Sequence, residues 1–282
     1  MSKHSTDAAA RSEKPNDGQE VTDGRYLYCL VDPTAAEGAE ITARGVEDAP
    51  VYVVRERGVA AIVHDCERTY GTEPPDTDLL TQRVLRHQQV VDAASEVFGT
   101  PLPMRFNTVF EGGNAGVTGW IRDQYDRIRG GLCSFAGTRE YRISLLWDPT
   151  SFEDGAEDRD GKLRKIQQRQ RQAGTGKAFL LEKQYDKRLR ELKSERRTEL
   201  TAALKRTVEP TARELQEQES NVSPSETPDP ADREQIARVA VLADETDEAE
   251  LGSRLDRLVE RDGVSVRFTG PWPPYTFAPD LG

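Results

Sequence analysis

Lysine is scarce in this chain: nine lysines stand against thirty arginines, although 32% of the residues are charged. Histidine is scarcer, with three, and methionine scarcer still, with two. Three cysteines, Cys29, Cys66 and Cys133, form an odd number with no paired spacing, which excludes a disulfide frame and fits reduced thiols inside a cell. No stretch approaches the roughly 20 apolar residues of a membrane span. The opening residues MSKHSTDAAARSEKPNDGQEVTDG lack the apolar core of a signal peptide, so a soluble, cytoplasmic protein is expected. Basic balance is missing too. The net charge is −11, which argues against nucleic acid as a partner, because phosphates need a cationic footprint. An acid-rich, lysine-poor surface suits a high-salt cytoplasm, where repulsion is screened and carboxylates hold water. An ordinary acidic protein from a GC-rich genome would share that bias.

What is present is a strongly patterned chain after residue 23. Residues 1–23 are polar without periodicity and are expected to be a disordered tail. RYLYCLVD (25–32) is a β-branched and aromatic run closed by Pro33, which predicts a buried strand. Val51–Arg55 and Val59–His64 flank Glu56-Arg57-Gly58 and predict a hairpin. A helix is predicted from Thr77 or Asp78, with apolar residues every three to four positions to Phe98 and Gly99 as its stop. Leu102–Phe110 reads as one strand, 117–132 as one helix, and Arg139–Asp148 as another strand.

Composition turns acidic and then rich in Gln and Arg over 149–173, which predicts a flexible insertion. A long helix follows. Leu181, Tyr185, Leu189, Leu192, Leu200, Leu204 and Val208 step along one face, the stripe continues to Ala212 and Leu215, and Pro210 must kink or end it. That stripe either packs on the protein's own sheet or offers a coiled-coil arm to a partner. Residues 219–233 form a second flexible insertion. A strand over 236–244, a helix capped by Asp247 and stopped by Gly263, and a strand at Val264–Gly270 complete the pattern. Both halves are therefore α+β with a helix-covered sheet, resembling ferredoxin-like units, with the boundary near 131–138.

Chemistry-bearing patterns are weak. His64-Asp65-Cys66 could supply a metal ligand or a Cys–His pair, but no second close-spaced pair exists, and a strand end with a small thiol explains it. Ala173–Phe179 lacks the first glycine and the hydroxyl of a phosphate loop. Glu111–Gly116 reads as a strand-to-helix turn, and His87 as a core histidine. No catalytic, cofactor or metal residue stands out.

The chain closes with GPWPPYTF (270–277). Pro271, Pro273 and Pro274 remove backbone donors, so the segment should leave the sheet begun by Val264–Thr269 as a stiff hook. Trp272, Tyr275 and Phe277 then need burial, against the protein's own core or against another subunit. GPWPPYTF with GVSVRFT before it strongly resembles the C-terminus of the gas vesicle protein F/L family (GvpF/GvpL). RYLYCLV, GVAAIVHD, PMRFNTVF, YRISLLW, FLLEKQ and VEPTARE resemble that family's other segments in the same order, from Gly24 to Phe277. The tail and the insertions are similar to the longer L-type of halophilic archaea.

The resemblance implies two domains. A modified ferredoxin-like N-terminal domain would cover 24–135. An α+β C-terminal domain with a long coiled-coil-like helix would cover 136–282. It implies no enzyme and no cofactor. It implies an accessory protein of gas vesicle assembly, active in nucleation and a minor vesicle component, found in the gas vesicle and the cytoplasm. Its partners would be the hydrophobic shell protein GvpA and accessory proteins of the GvpF to GvpM group, with no nucleic acid and no membrane. Trp272, Tyr275, Phe277, Tyr185, Leu189 and Leu192 are the partner-binding candidates. The competing class is a small-ligand binder or enzyme on a ferredoxin-like scaffold, its ligand near Arg105 and Arg142.

Overall fold

The structure is a computed structural model and describes residues 18–36, 38–70, 77–218 and 233–281. The chain divides into two compact units. One runs to Ala136 and takes up the residues from Ala278 on; the other is Gly137–Phe277. Residues 219–232, most of the second expected insertion, and 1–17 of the expected tail lie outside the described residues.

In the first unit the aromatic run becomes the central strand, β1 (Glu20–Val31), which starts inside the expected tail. Tyr26 to Val31 are wholly buried, which explains why the run is continuous instead of alternating. The hairpin β2 (Tyr52–Glu56) and β3 (Val59–Arg68) lies beside it. Its two-residue turn is Arg57-Gly58, both at positive φ (49 and 73), the geometry that matches strand twist. α1 (Thr77–Phe98) buries His87, Val90, Val91, Ala94 and Phe98 at helical spacing and ends at Gly99, φ +79.

Leu102–Phe110 does not form one strand. It gives β4 (Leu102–Pro103) and β5 (Val109–Phe110), both paired with β1. Between them the backbone turns at Asn107 (φ 71), held by the Tyr26 hydroxyl. The single helix expected over 117–132 is two, α2 (Gly113–Asp123) and α3 (Tyr125–Phe135), divided at Gln124, whose φ of −101 and ψ of 12 leave the helical range. The strand order is β2-β3-β1-β4, all antiparallel.

The second unit centres on β6 (Thr138–Trp147). Its alternate residues Tyr141, Ile143, Leu145 and Trp147 face one core, as period two requires. The expected flexible insertion at 149–173 is helical instead: α4 (Pro149–Glu153), α5 (Ala156–Arg159) and α6 (Gly161–Arg171). Two caps explain it. Asp148 accepts the Thr150 N–H with Pro149 at the first helical position, and Asp160 accepts the Lys162 and Leu163 N–H groups.

α7 (Thr175–Val208) has 34 residues, about 51 Å at 1.5 Å per residue. A single turn of tighter helix at Glu209–Thr211, containing Pro210, ends it. Ala212 and Leu215 thus fall in β7 (Ala212–Glu217), and the apparent continuation of the helical stripe is a coincidence of spacing. β8 (Glu234–Asp244), α8 (Glu248–Val259) and β9 (Val264–Trp272) complete the unit. Asp247 precedes α8 but makes no side-chain cap. The order β7-β8-β6-β9 repeats the pattern of the first unit: second, third, first, fourth, which is the ferredoxin-like arrangement.

Candidate functional site

The closing hook is anchored by a buried carboxylate. β9 is an edge strand, where a missing N–H is tolerated. The pairing of β6 with β9 shifts between Glu140↔Trp272 and Arg142↔Thr269, so Gly270 and Pro271 form a bulge and the strand resumes at Trp272. The expectation that the prolines end the sheet at Thr269 is corrected by that bulge. Gly270 sits at φ +138, and a Cβ there would lie 2.9 Å from the Glu140 carbonyl oxygen, so only glycine fits.

Beyond Trp272 the chain turns at the buried Pro273-Pro274, with the Tyr275 N–H donating to the Pro273 carbonyl at 2.7 Å. Glu140 is fully buried in β6. Its carboxylate accepts the Thr276 N–H (2.6 Å), the Thr276 hydroxyl (2.8 Å) and the Arg142 Nε–H (2.9 Å). A buried carboxyl group with three donors is satisfied. Trp272, Tyr275 and Phe277 are half-buried. The Trp272 indole N–H is buried without a hydrogen-bond partner among the described residues.

α7 is divided along its length. Its C-terminal part places Leu200, Ala203, Leu204 and Val208 in the sheet core with Leu251, Leu255 and Leu258 of α8. Its N-terminal part packs against α6. There Leu181 and Leu163 are buried. Tyr185 donates from its hydroxyl to Glu157 (3.1 Å); burial and then that carboxylate push its pKa up. The Arg188 guanidinium bonds Asp160 at 2.9 Å and holds that carboxyl below its ordinary range. Lys193 pairs with Glu153. Leu189 is half-buried. Leu192, also half-buried, lines an open groove of about 600 Å³ with Phe152, Arg159, Arg196 and Glu199.

The structure therefore places Trp272, Tyr275 and Phe277 at the hook and Tyr185, Leu189 and Leu192 along one helix. It also shows an apolar pair that the stripe left out. Phe179 and Leu180 are 57% and 62% exposed, the most exposed apolar side chains of the helix. They sit beside Leu181 but off its face, so a search for one apolar stripe passes over them.

The remaining motifs are occupied structurally. His64 is buried with Nδ1 bonded to the Tyr28 hydroxyl (2.8 Å) and Nε2 to the Tyr70 hydroxyl (3.2 Å). His87 donates from Nε2 to the Met104 carbonyl, which can only accept, so its Nδ1 accepts from Tyr26. Burial pushes both imidazoles down to about 4 and keeps them neutral. Burial likewise raises the Cys29 and Cys66 thiols, away from the thiolate. Gly112 (φ +83) and Gly113 (φ +64) open α2, while Gly174 precedes α7 after a helix, with no strand before it. Arg142 is held by Glu140. Among the described residues, no group of three or more Cys, His, Asp or Glu could hold a metal, and no helix is long and apolar enough to cross a membrane.

Comparison with known proteins agrees in sequence and in fold. Gas vesicle protein L1 of Halobacterium salinarum is 54% identical over 282 residues, covering all of both chains. Gas vesicle protein L of Haloferax mediterranei is 52% identical over 300 aligned positions, covering 96% of this chain and 92% of that one. Both are proteins of halophilic archaea. The crystal structure of the gas vesicle protein GvpF from an Anabaena species superposes with a TM-score of 0.70 at 20% identity, over 92% of this chain and 99% of that one, and so shares the fold. The family model of the gas vesicle synthesis protein GvpL/GvpF matches residues 24–279, and the chain belongs to that family.

Proposed function

We propose that this protein, an accessory protein of gas vesicle formation by its family, binds other gas vesicle proteins and performs no bond-making chemistry. Its partners are the small hydrophobic shell protein GvpA and accessory proteins of the GvpF to GvpM group. It acts in nucleation and stays as a minor component of the vesicle. The observation that carries this reading is the split in α7. A helix of 34 residues seats only its C-terminal part on its own sheet, and the rest is a two-helix arm with exposed or half-buried apolar side chains.

Unassembled shell subunits expose apolar surface that aggregates. A chain of net charge −11 can hold such subunits and keep them dispersed by the water its carboxylates bind. The groove at Leu192, with Tyr185 and Leu189 on the same helix, is one contact region. The half-buried Trp272, Tyr275 and Phe277 are the second, presented by the unit Gly137–Phe277.

The test is capture in molar KCl of purified GvpA and of each purified accessory protein, one at a time. Binding of GvpA and at least one accessory protein is expected, weakened tenfold or more by Leu192→Asp. Failure to bind any of them sinks the reading.

A further inference from the structure

The acidic chain has one basic region, and it is the arm. Residues 161–194 carry eleven Lys and Arg against three Asp and Glu, and they hold six of the nine lysines. α6 alone has five cations and no carboxylate. Part of this charge is answered locally: Arg188 by Asp160, Lys193 by Glu153, Arg164 by Asp158. Lys162, Lys165, Lys177 and Lys187 are exposed and have no ion pair among the described residues.

The charge and the apolar pair coincide. Positions 177, 180, 183 and 187 are three or four apart and share a side of α7, and Phe179 lies beside them, one turn from Lys183. The Lys183 ammonium stands 5.5 Å from the Phe179 ring centroid. So Leu180 sits among Lys177, Lys183 and Lys187, and Phe179 stands at the edge of that face, between Lys183 and the exposed carboxylates of Glu182 and Asp186.

We propose that this face of α7 docks an acidic polypeptide segment bearing apolar side chains, presented by another protein of gas vesicle assembly. The inference rests on the function proposed above and names the partner's chemistry. Charge complementarity selects carboxylates, and Phe179 and Leu180 require an apolar counterpart. Nucleic acid fits worse: its phosphate backbone offers nothing to Leu180. A lipid surface fits worse too, because two apolar residues are far short of the broad apolar face that interfacial helices bury. At about 1 M salt the screening length is about 3 Å. The lysines then act only in contact, as selectors of the partner, while apolar burial holds it.

The test uses the full chain and three variants: K177E/K183E/K187E, F179A/L180A and the charge-preserving K177R/K183R/K187R. Each is measured against GvpA and every accessory gas vesicle protein, purified and immobilised singly, at one KCl concentration. The expected result is that at least one partner of net negative charge loses tenfold or more in Kd with the first two variants and binds the arginine variant as it binds the wild type. The inference is overturned if both disruptive variants bind every partner normally, if the partner lost is basic, or if the arginine variant loses binding as well. It is also overturned if the arm changes affect only a 20-nucleotide single strand or phosphatidylglycerol vesicles. A wild type that binds none of the proteins removes the proposed function, and this inference with it.

Discussion

The two units order their strands identically but build the first crossover differently. In the first, residues 32–51 connect β1 to β2 with nothing longer than the short turns Pro33–Ala36 and Val46–Asp48. This link is fastened to the core: the Tyr28 hydroxyl accepts the Val46 N–H at 2.8 Å and bonds His64. In the second, the same connection, from β6 to β7, contains four helices, and its last one outgrows the sheet it covers. Ferredoxin-like order fixes where a crossover starts and ends but not its length. The first unit uses its crossover to close a core. The second uses it to project a surface.

If that contrast is right, the two ends of α7 should respond unequally to truncation. Leu204→Ala, at a wholly buried position, should cost about 3–5 kcal/mol, and Leu192→Ala, in the open groove, under about 1 kcal/mol. Urea unfolding in high KCl measures both, and equal costs would erase the contrast.

Acid should separate the units next. Beyond His4, both histidines lie in the first unit and none in Gly137–Phe277. Their folded pKa values, about 4, are below the ordinary value of 6.5, so the unfolded chain binds more protons between those limits. Stability is complete above about pH 6.5 and falls as pH drops toward 4, by on the order of 2–3 kcal/mol per histidine. Hydrogen exchange from pH 7 to 4.5 should show the first unit losing protection before the second. Simultaneous loss would mean the histidines are not the weak point.

Tyr28→Phe should cost about 1–3 kcal/mol, because the buried Val46 N–H loses its acceptor. Amide exchange at Val46 should rise, while β6 stays protected. A small effect is expected at the hook. Thr276→Val removes the hydroxyl's bond to Glu140 and the one it accepts from the Gln218 amide but leaves the Thr276 N–H bond to Glu140, for about 1–2 kcal/mol. A loss several times larger would show that the hook holds more of the second unit than its hydrogen bonds indicate.

Elements with a local cause were legible in the sequence. Gly99 stopped α1 where its geometry requires, Arg57-Gly58 made the hairpin turn, and β6 and β8 lie where their apolar runs lie. Elements decided at a distance were not. Leu102–Phe110 has the composition of one strand, but its middle is held by Tyr26 and by Tyr70, whose N–H donates to the Asn107 side chain. No neighbouring residue signals such contacts. The helices of 149–171 were hidden by polar composition, although Asp148-Pro149 and Asp160 are recognisable starts, and the unpaired stripe of α7 called for a partner such as Leu163. Of the candidate site, the half-buried stripe was visible, but the exposed Phe179 and Leu180 were not, because apolar periodicity finds what is buried.

The residues from Ala278 on belong to the first unit: Leu281 is buried, and Arg127 donates from its guanidinium to the Asp280 carbonyl. The ribosome makes β1 early and Leu281 more than 250 residues later. The amino-terminal unit therefore waits for Leu281 to be made before its packing is complete, and a chain stalled after Phe277 would release it with a gap where Leu281 belongs.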